Sequence, residues 1–385
     1  MRSAILGGVL LILGAIAIAF GVLPAAAALE IGQRVWPVLL FVLAITVLTE
    51  LAAEAGLFVA IAERLAKWGL ARAWLLWLFV VLLATVSTIF LSLDTTAVLL
   101  TPVVVVVARH VGLPPMPFAL TTVWLANTAS LLLPVSNLTN LLAQNQIAGE
   151  SPLKFAALMA APAVVAIVMP SAVLFLLYRR QLLSKYEPAA STPSDDRVLL
   201  VASGIVVALL IPALVSGVAV WIPAVVGAVV LAGFFAVRRR RTLSFSLLPW
   251  QLVLLASGLF LVVGAAHSLG ATAALSALAG AGESPLALLR VSGVGALSAN
   301  VVNNLPAYLA LEPTAVSPVR LASLLIGVNA GPLITPWASL ATLLWHERLR
   351  GLAVDISWRK YIGLGLIIVP VTIIPASLAL AFLQS

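Results

Sequence analysis

Long apolar stretches alternate with short polar connections along the whole chain, and within the stretches apolar residues occupy every face of a helix rather than one stripe. A helix crossing about 30 Å of hydrocarbon takes about 20 mostly apolar residues. On that measure the pattern predicts spans near residues 3–29, 35–62, 117–142, 154–178, 198–216, 218–237, 249–267, 318–344 and 360–380. Two further apolar segments, 73–108 and 285–311, carry polar residues in their middles. Two of the spans are interrupted: "ANTASLLLPVSNLTNLLA" from Ala126 and "VNAGPLITPWASLATLLW" from Val328 each place an asparagine early and a proline seven residues later.

Composition agrees with the pattern. The 385 residues are 63% apolar and only 9% charged, which describes a polytopic membrane protein rather than a soluble domain. The net charge of +8 does not point to nucleic acid, because the basic residues sit in connections between apolar stretches. There is no cysteine, and His110, His267 and His346 are scattered singly, so thiolate chemistry and a histidine zinc site are excluded. No Ser, His and Asp set suggests a hydrolase, no phosphate-binding loop is present, and nothing calls for a cofactor. The start, Arg2 before an apolar run and four alanines at Ala25 to Ala28, resembles a signal peptide, but the run is longer than a signal core and reads as a first span.

Positive charge collects in four connections: Arg64, Lys67 and Arg72; Arg179, Arg180 and Lys185; Arg238 to Arg241; and Arg348, Arg350, Arg359 and Lys360. The rule that basic loops stay inside makes these cytoplasmic and starts the chain in the cytoplasm. Tracing the chain then requires 73–108 to enter and leave from the cytoplasmic side and 285–311 from the other. A unit of span, turn-back segment, interrupted span and span thus occurs twice with opposite insertion, which is the inverted-repeat design of secondary transporters. An offset of 202 residues aligns Asn127 with Asn329, Leu131 with Leu333, Pro134 with Pro336, Leu138 with Leu340, Leu141 with Leu343 and Leu142 with Leu344. The expectation is an all-α polytopic membrane protein of two inverted-topology repeats, each with a re-entrant hairpin and a broken helix, about ten spans plus two hairpins in all. Residues 1–178 form the first half, 179–197 a cytoplasmic linker, and 198–385 the second half.

Proline inside a helix removes a hydrogen bond and clashes with the preceding turn, and bare backbone in hydrocarbon costs several kcal/mol per group. Pro134 and Pro336 therefore mark breaks that face protein or a wet cavity. Around them Asn127, Ser136, Asn137 and Asn329 supply uncharged donors and acceptors, as do Asn303 and Asn304 in the second turn-back segment; together they are the candidate binding residues. For a single Ser or Thr the competing explanation is helix packing. Asp94, in the first turn-back segment, is the sharpest residue: if the segment is a re-entrant hairpin it lies near mid-membrane, where a carboxylate costs about 2.5–3.5 kcal/mol on insertion scales and is suited to carrying a proton, and if the segment is a full span it lies near the outer surface. Glu50 and Glu54 lie four apart on one helix face, where they either relay protons or snorkel to the interface.

"LDTTAVLLTPVVVVVAR", "ANTASLLLPVSNLTNLLA", "VVNNLPAYL" and "GVNAGPLITPWASLATLLW" together resemble the arsenite/antimonite permease (ArsB-type) family of the ion transporter superfamily. That resemblance implies two inverted repeats in the cytoplasmic membrane and export of arsenite or antimonite, in exchange for protons or with a soluble ATPase partner. The chain departs from the family at Leu93, Asp94 and Thr95, where an Asn-Asp-Gly run is usual; the acid is kept and its neighbours are not. The alternatives are a sodium-coupled dicarboxylate carrier or a sodium/proton antiporter of the same superfamily.

Overall fold

The computed structural model describes residues 2–149, 151–187 and 196–382, and among them it is helical throughout. Nine traversals and two hairpins can be traced, close to the ten spans expected. Of the expected linker, 179–197, the first four residues continue the helix Pro152–Leu182 and residues 188–195 lie outside the described residues.

The chain opens with α1 (Arg2–Ala19) and α2 (Ala25–Glu54). The break between them falls earlier than the hydropathy suggests, because Gly21 adopts φ 72° and Pro24 fits immediately before the first turn of a new helix. Gly56, at φ 81°, ends the second span and turns the chain into a short helix, α3 (Leu57–Trp68). The first hairpin follows: α4 (Ala73–Leu91), a reversal at Ser92 with φ 111°, a π-helical turn over Thr95–Leu100, and α5 (Thr101–His110). Because α3 packs against both arms, the two arms enter and leave at the same end. The first broken helix is α6 (Met116–Thr128) and α7 (Leu138–Ala148), and α8 (Pro152–Leu182) closes the unit.

After α9 (Arg197–Val215) and α10 (Trp221–Arg238), the same sequence of elements recurs. The span α11 (Trp250–Ser268) ends at Gly270, whose φ of 90° matches Gly56, and leads into the short helix α12 (Ala271–Ala279). The second hairpin is α13 (Pro285–Val302), a reversal at Asn303 with φ 103°, and α14 (Asn304–Leu311), with α12 against both arms. The second broken helix is α15 (Pro318–Ala330) and α16 (Leu340–Gly351), and α17 (Trp358–Phe382) completes the unit. Ser92 and Asn303 are 211 residues apart and the two breaks 202, so the second repeat is shorter between hairpin tip and break. Its second hairpin arm has 8 helical residues, whereas the first repeat has a six-residue π turn followed by a ten-residue helix.

The two repeats are inverted. At one end Arg72 bridges Lys185, Arg109 donates to the Ala353 carbonyl at 3.2 Å, and Arg241 and Arg348 border one cleft. This gathers the four basic connections together. The second hairpin instead meets α2 at Arg34, which pairs with Glu312; Arg34 is 16 residues from Glu50, or about 24 Å along the helix. Two other cations at that end are engaged internally: Arg290 donates to the Ala277 and Leu278 carbonyls, and Arg320 to those of Gly280 and Gly282, closing the C-terminus of α12.

Packing crosses the halves. The first helix lies against α11 so tightly that a Cβ on Gly7 would sit 2.6 Å from the Leu255 nitrogen, and one on Gly258 2.8 Å from that of Leu11. The α10 helix packs on α2. At the centre, the buried Trp345 of α16 donates to the Ala119 carbonyl of α6 at 2.9 Å, tying the two broken helices together.

Candidate functional site

Both breaks have the same backbone. Leu133 and Thr335 are extended (φ −122°, ψ 152° and φ −95°, ψ 147°), each followed by a prolyl 3-10 turn, and Asn137 and Ser339 are extended again (φ −151°, ψ 145° and φ −138°, ψ 133°) before the helix resumes. These equivalences keep the 202-residue offset read from Asn127, Asn329 and the two prolines. Each break frees carbonyls and amides that need partners away from water.

The halves supply those partners differently. In the first, the break is stitched from within: Asn140 Nδ2 donates to the Ser130 carbonyl at 2.6 Å and to that of Leu133 at 3.1 Å, and Ser136 Oγ reaches the same two carbonyls. In the second, Asn300 of the hairpin does the work from outside. Its Nδ2 donates to the Gly331 carbonyl at 2.8 Å, and its Oδ1 accepts from the Thr335 amide at 2.9 Å and the Ile334 amide at 3.2 Å. Its own carbonyl accepts from Thr335 Oγ1 and Trp337 Nε1. The nearby Asn303 donates to the Trp337 carbonyl at 2.8 Å.

The two breaks meet through Asn329, which is fully buried. Its Oδ1 accepts from Asn137 Nδ2 at 3.0 Å and Thr139 Oγ1 at 2.8 Å, and its Nδ2 donates to Asn140 Oδ1 at 2.6 Å. A buried amide with all these bonds made fixes how the halves sit. Asn127, its sequence equivalent, donates to the Val123 carbonyl of its own helix at 2.9 Å.

Between the breaks and the hairpin tips lies a cavity of about 310 Å³. Of the residues singled out from sequence, Asp94, Ser136, Asn137, Asn303 and Asn304 line it; Asn329 is bonded to Asn137 behind the wall. No Lys, Arg or His lines it, and much of the remaining surface is apolar, including Phe41, Ile45 and Leu255. Asp94 sits on the hairpin tip, one residue after Leu93, and has no hydrogen-bond or ion-pair partner among the described residues. Its neighbours hold the tip instead: Thr95 Oγ1 donates to the Leu91 carbonyl and Thr88 Oγ1 to Thr96 Oγ1 at 2.8 Å.

Asp94 also borders a second cavity, of about 470 Å³, whose far wall includes Glu50 and Gln251. Glu50 in turn shares with Glu54, Arg241 and Arg348 an open cleft at the basic end. The three acids thus border successive spaces leading from that end to the centre. Toward the opposite end the way is closed: Arg34 pairs with Glu312 and donates to the Leu142 carbonyl at 3.0 Å, while Gln146 and Tyr308 donate to Glu312 at 2.8 and 3.0 Å.

Sequence reasoning names Thr139, Asn140 and Ser339 among the donors and acceptors around the breaks, and Asn300 among the polar residues of the second turn-back segment, but leaves all four out of the candidate binding set; which amide bonds which carbonyl depends on the third dimension.

Inverted repeats with broken helices around a central cavity that carries a few uncharged polar groups define a multi-pass membrane transporter. The model of the citrate transporter family, CitMHS, matches residues 3–342, and the chain belongs to this family, within the ion transporter superfamily. Relatives include the arsenical pump membrane protein of Escherichia coli strain K12, 29% identical over 378 residues and covering 90% of this chain and 87% of that protein. A second Escherichia coli arsenical pump membrane protein is 30% identical over 394 residues, covering 95% and 89%, and that of Yersinia enterocolitica is 29% identical over 382, covering 92% and 88%. The fold is shared with the Alcanivorax borkumensis YdaH transporter, at a TM-score of 0.62 and 15% identity over 100% of this chain and 98% of that one.

Proposed function

We propose that the protein exports arsenite or antimonite across the cytoplasmic membrane in exchange for protons, by alternating access. The observation that carries this reading is a largely apolar cavity at the breaks whose polar groups are amides, hydroxyls and one unpartnered carboxylate, Asp94, with no cation among them. Trivalent arsenic and antimony hydroxides are neutral, pyramidal and rich in hydroxyl groups, so uncharged donors and acceptors suit them. Three relatives named as arsenical pump membrane proteins support the same cargo.

In this reading Asn137, Asn303, Asn304 and Ser136 face the cargo, Asn329 holds the breaks in register, and Asn127 braces its own helix beside them. Asp94 carries the coupling proton, and Glu50 and Glu54 pass it to the cytoplasmic side, where the basic connections lie. The N-terminus is then cytoplasmic, the linker 179–197 cytoplasmic between halves 1–178 and 198–385, and the Arg34–Glu312 cluster closes the external side. In this reading it works alone or with a soluble ATPase partner; the sequence carries no G-x-x-x-x-G-K-S/T phosphate loop.

The family's description as a citrate transporter favours a second reading, a sodium-coupled carboxylate carrier whose anion faces the N-termini of α7 and α16. A sodium/proton antiporter is its relative. Everted vesicles separate these. With an imposed proton gradient and arsenite or antimonite outside, wild-type vesicles accumulate metalloid, and Asp94→Asn vesicles, with equal amounts of folded protein, do not. Undiminished gradient-driven uptake by Asp94→Asn removes the proton role, and sodium-dependent citrate or succinate uptake without metalloid uptake selects the second reading.

A further inference from the structure

The two helices that resume after the breaks begin alike in backbone but not in chemistry. Asn137 caps α7 with its side chain, Oδ1 accepting from the Thr139 amide, while its Nδ2 is committed to Asn329. Ser339, 202 residues later, stands at the same place before the 12-residue α16, yet its hydroxyl caps nothing. Ser339 is 1% exposed, Oγ has no hydrogen-bond partner, and the residue lines the central cavity. Of the buried polar atoms left unpartnered among the described residues, this is the one that belongs to a residue lining the cavity. Neighbouring groups are already engaged: Trp337 Nε1 with the Asn300 carbonyl, and Asn303 Nδ2 with the Trp337 carbonyl.

A buried hydroxyl without a partner costs stability, and a serine that declines the cap its position offers leaves the first turn of α16 short of an acceptor as well. Both shortfalls are met by the same thing, an oxygen atom in the cavity. The amides at a helix start donate, and the serine hydroxyl can donate to that oxygen or accept from a hydroxyl on the ligand. A cation is excluded by the positive end of the helix.

We propose that Ser339 Oγ and the first turn of α16 form an anchoring subsite for one oxygen of the transported solute, and that the second repeat rather than the first holds the cargo most directly. The inference rests on the proposed function for the identity of that oxygen, a hydroxyl of trivalent arsenic or antimony hydroxide.

The test compares wild type, Ser339→Ala and Ser339→Thr, in vesicles for KM and in detergent for Tm with and without antimonite; sodium with radiolabelled citrate or succinate is run in parallel. Ser339→Ala leaves the substrate-free Tm unchanged or raises it, because no protein bond is lost, yet raises KM about tenfold, the worth of one hydrogen bond, and shrinks the antimonite-induced Tm shift. Ser339→Thr restores the hydroxyl and brings KM back toward wild type. An alanine variant with wild-type KM and Tm shift overturns the subsite while leaving the transport reading intact. A substrate-free Tm lowered by Ser339→Ala overturns it too, by revealing a structural bond. Wild type carrying only citrate or succinate rejects the metalloid cargo, and the same Ala and Thr comparison then judges the subsite with that anion. Wild type inert to every probe overturns both.

Discussion

The two broken helices share a backbone and differ in what holds it. The first break lies in α6 and α7, where Asn140 and Ser136 offer overlapping donors to the carbonyls of Ser130 and Leu133. The second, in α15 and α16, borrows its partners from a separate element, the hairpin residue Asn300. Its close neighbours make that loan feasible. Gly327 and Gly331, a small-xxx-small pair, let α13 approach until a Cβ on Gly327 would stand 2.2 Å from the Ser292 carbonyl oxygen, and Gly365 of α17 comes equally close to the Leu333 carbonyl. At the corresponding places in the first repeat stand Leu125 and Ala129. A break stitched from within moves as one piece with its own helix, whereas a break stitched to a hairpin moves with the hairpin.

This difference is breakable. The largest effect is expected from Gly327→Leu, since the added atoms meet backbone that cannot step aside: folded protein should vanish from size-exclusion profiles of solubilised membranes, while Leu125→Ala still yields a folded, weakened protein. Next come the two stitching asparagines. Asn300→Ala orphans the Ile334 and Thr335 amides at once, at about 1–3 kcal/mol for each buried unsatisfied group, and leaves the Gly331 carbonyl only the Leu333 amide, so stability in detergent should fall by about 2–6 kcal/mol. Asn140→Ala leaves Ser136 Oγ beside both carbonyls and orphans one group, the Asn329 Nδ2 that Asn140 accepts from, so it should cost less, about 1–3 kcal/mol. Equal losses would mean that the two breaks are held alike.

The smallest effect lies outside both breaks. Arg238 donates to Asp196 at 2.7 Å on the surface between the halves and holds that carboxyl below its ordinary value. Its contribution is therefore present above the ordinary carboxylate value, about 4, and lost as pH falls through the lowered one. Asp196→Asn should leave Tm at pH 7 unchanged, as expected of an exposed pair.

The breaks were legible in the sequence because proline and asparagine at equal spacing in an apolar run have few structural uses. Charge placement likewise carried the inverted topology, since the basic connections do gather at one end. The short helices α3 and α12 were not legible: the first half of α3 merges with the expected span 35–62, α12 falls in a stretch after the expected span 249–267 where no element is expected, and the positive φ of Gly56 and Gly270 sets each apart from the span before it. Nor could the inventory of polar residues separate Asn329, which joins the halves, from Asn127, which serves its own helix. The unspent hydroxyl of Ser339 is a fact about its surroundings, invisible in a list of serines.

The central claim is that cargo binds between the breaks, in the cavity bounded by Asp94, Asn137, Asn303 and Ser339. Anomalous diffraction from crystals grown with antimonite measures it directly, since antimony can be located on its own. The account predicts an antimony peak inside that cavity, near the start of α16, which Ser339→Ala weakens. Antimony bound outside it, with the cavity left empty at saturating antimonite, would contradict the account.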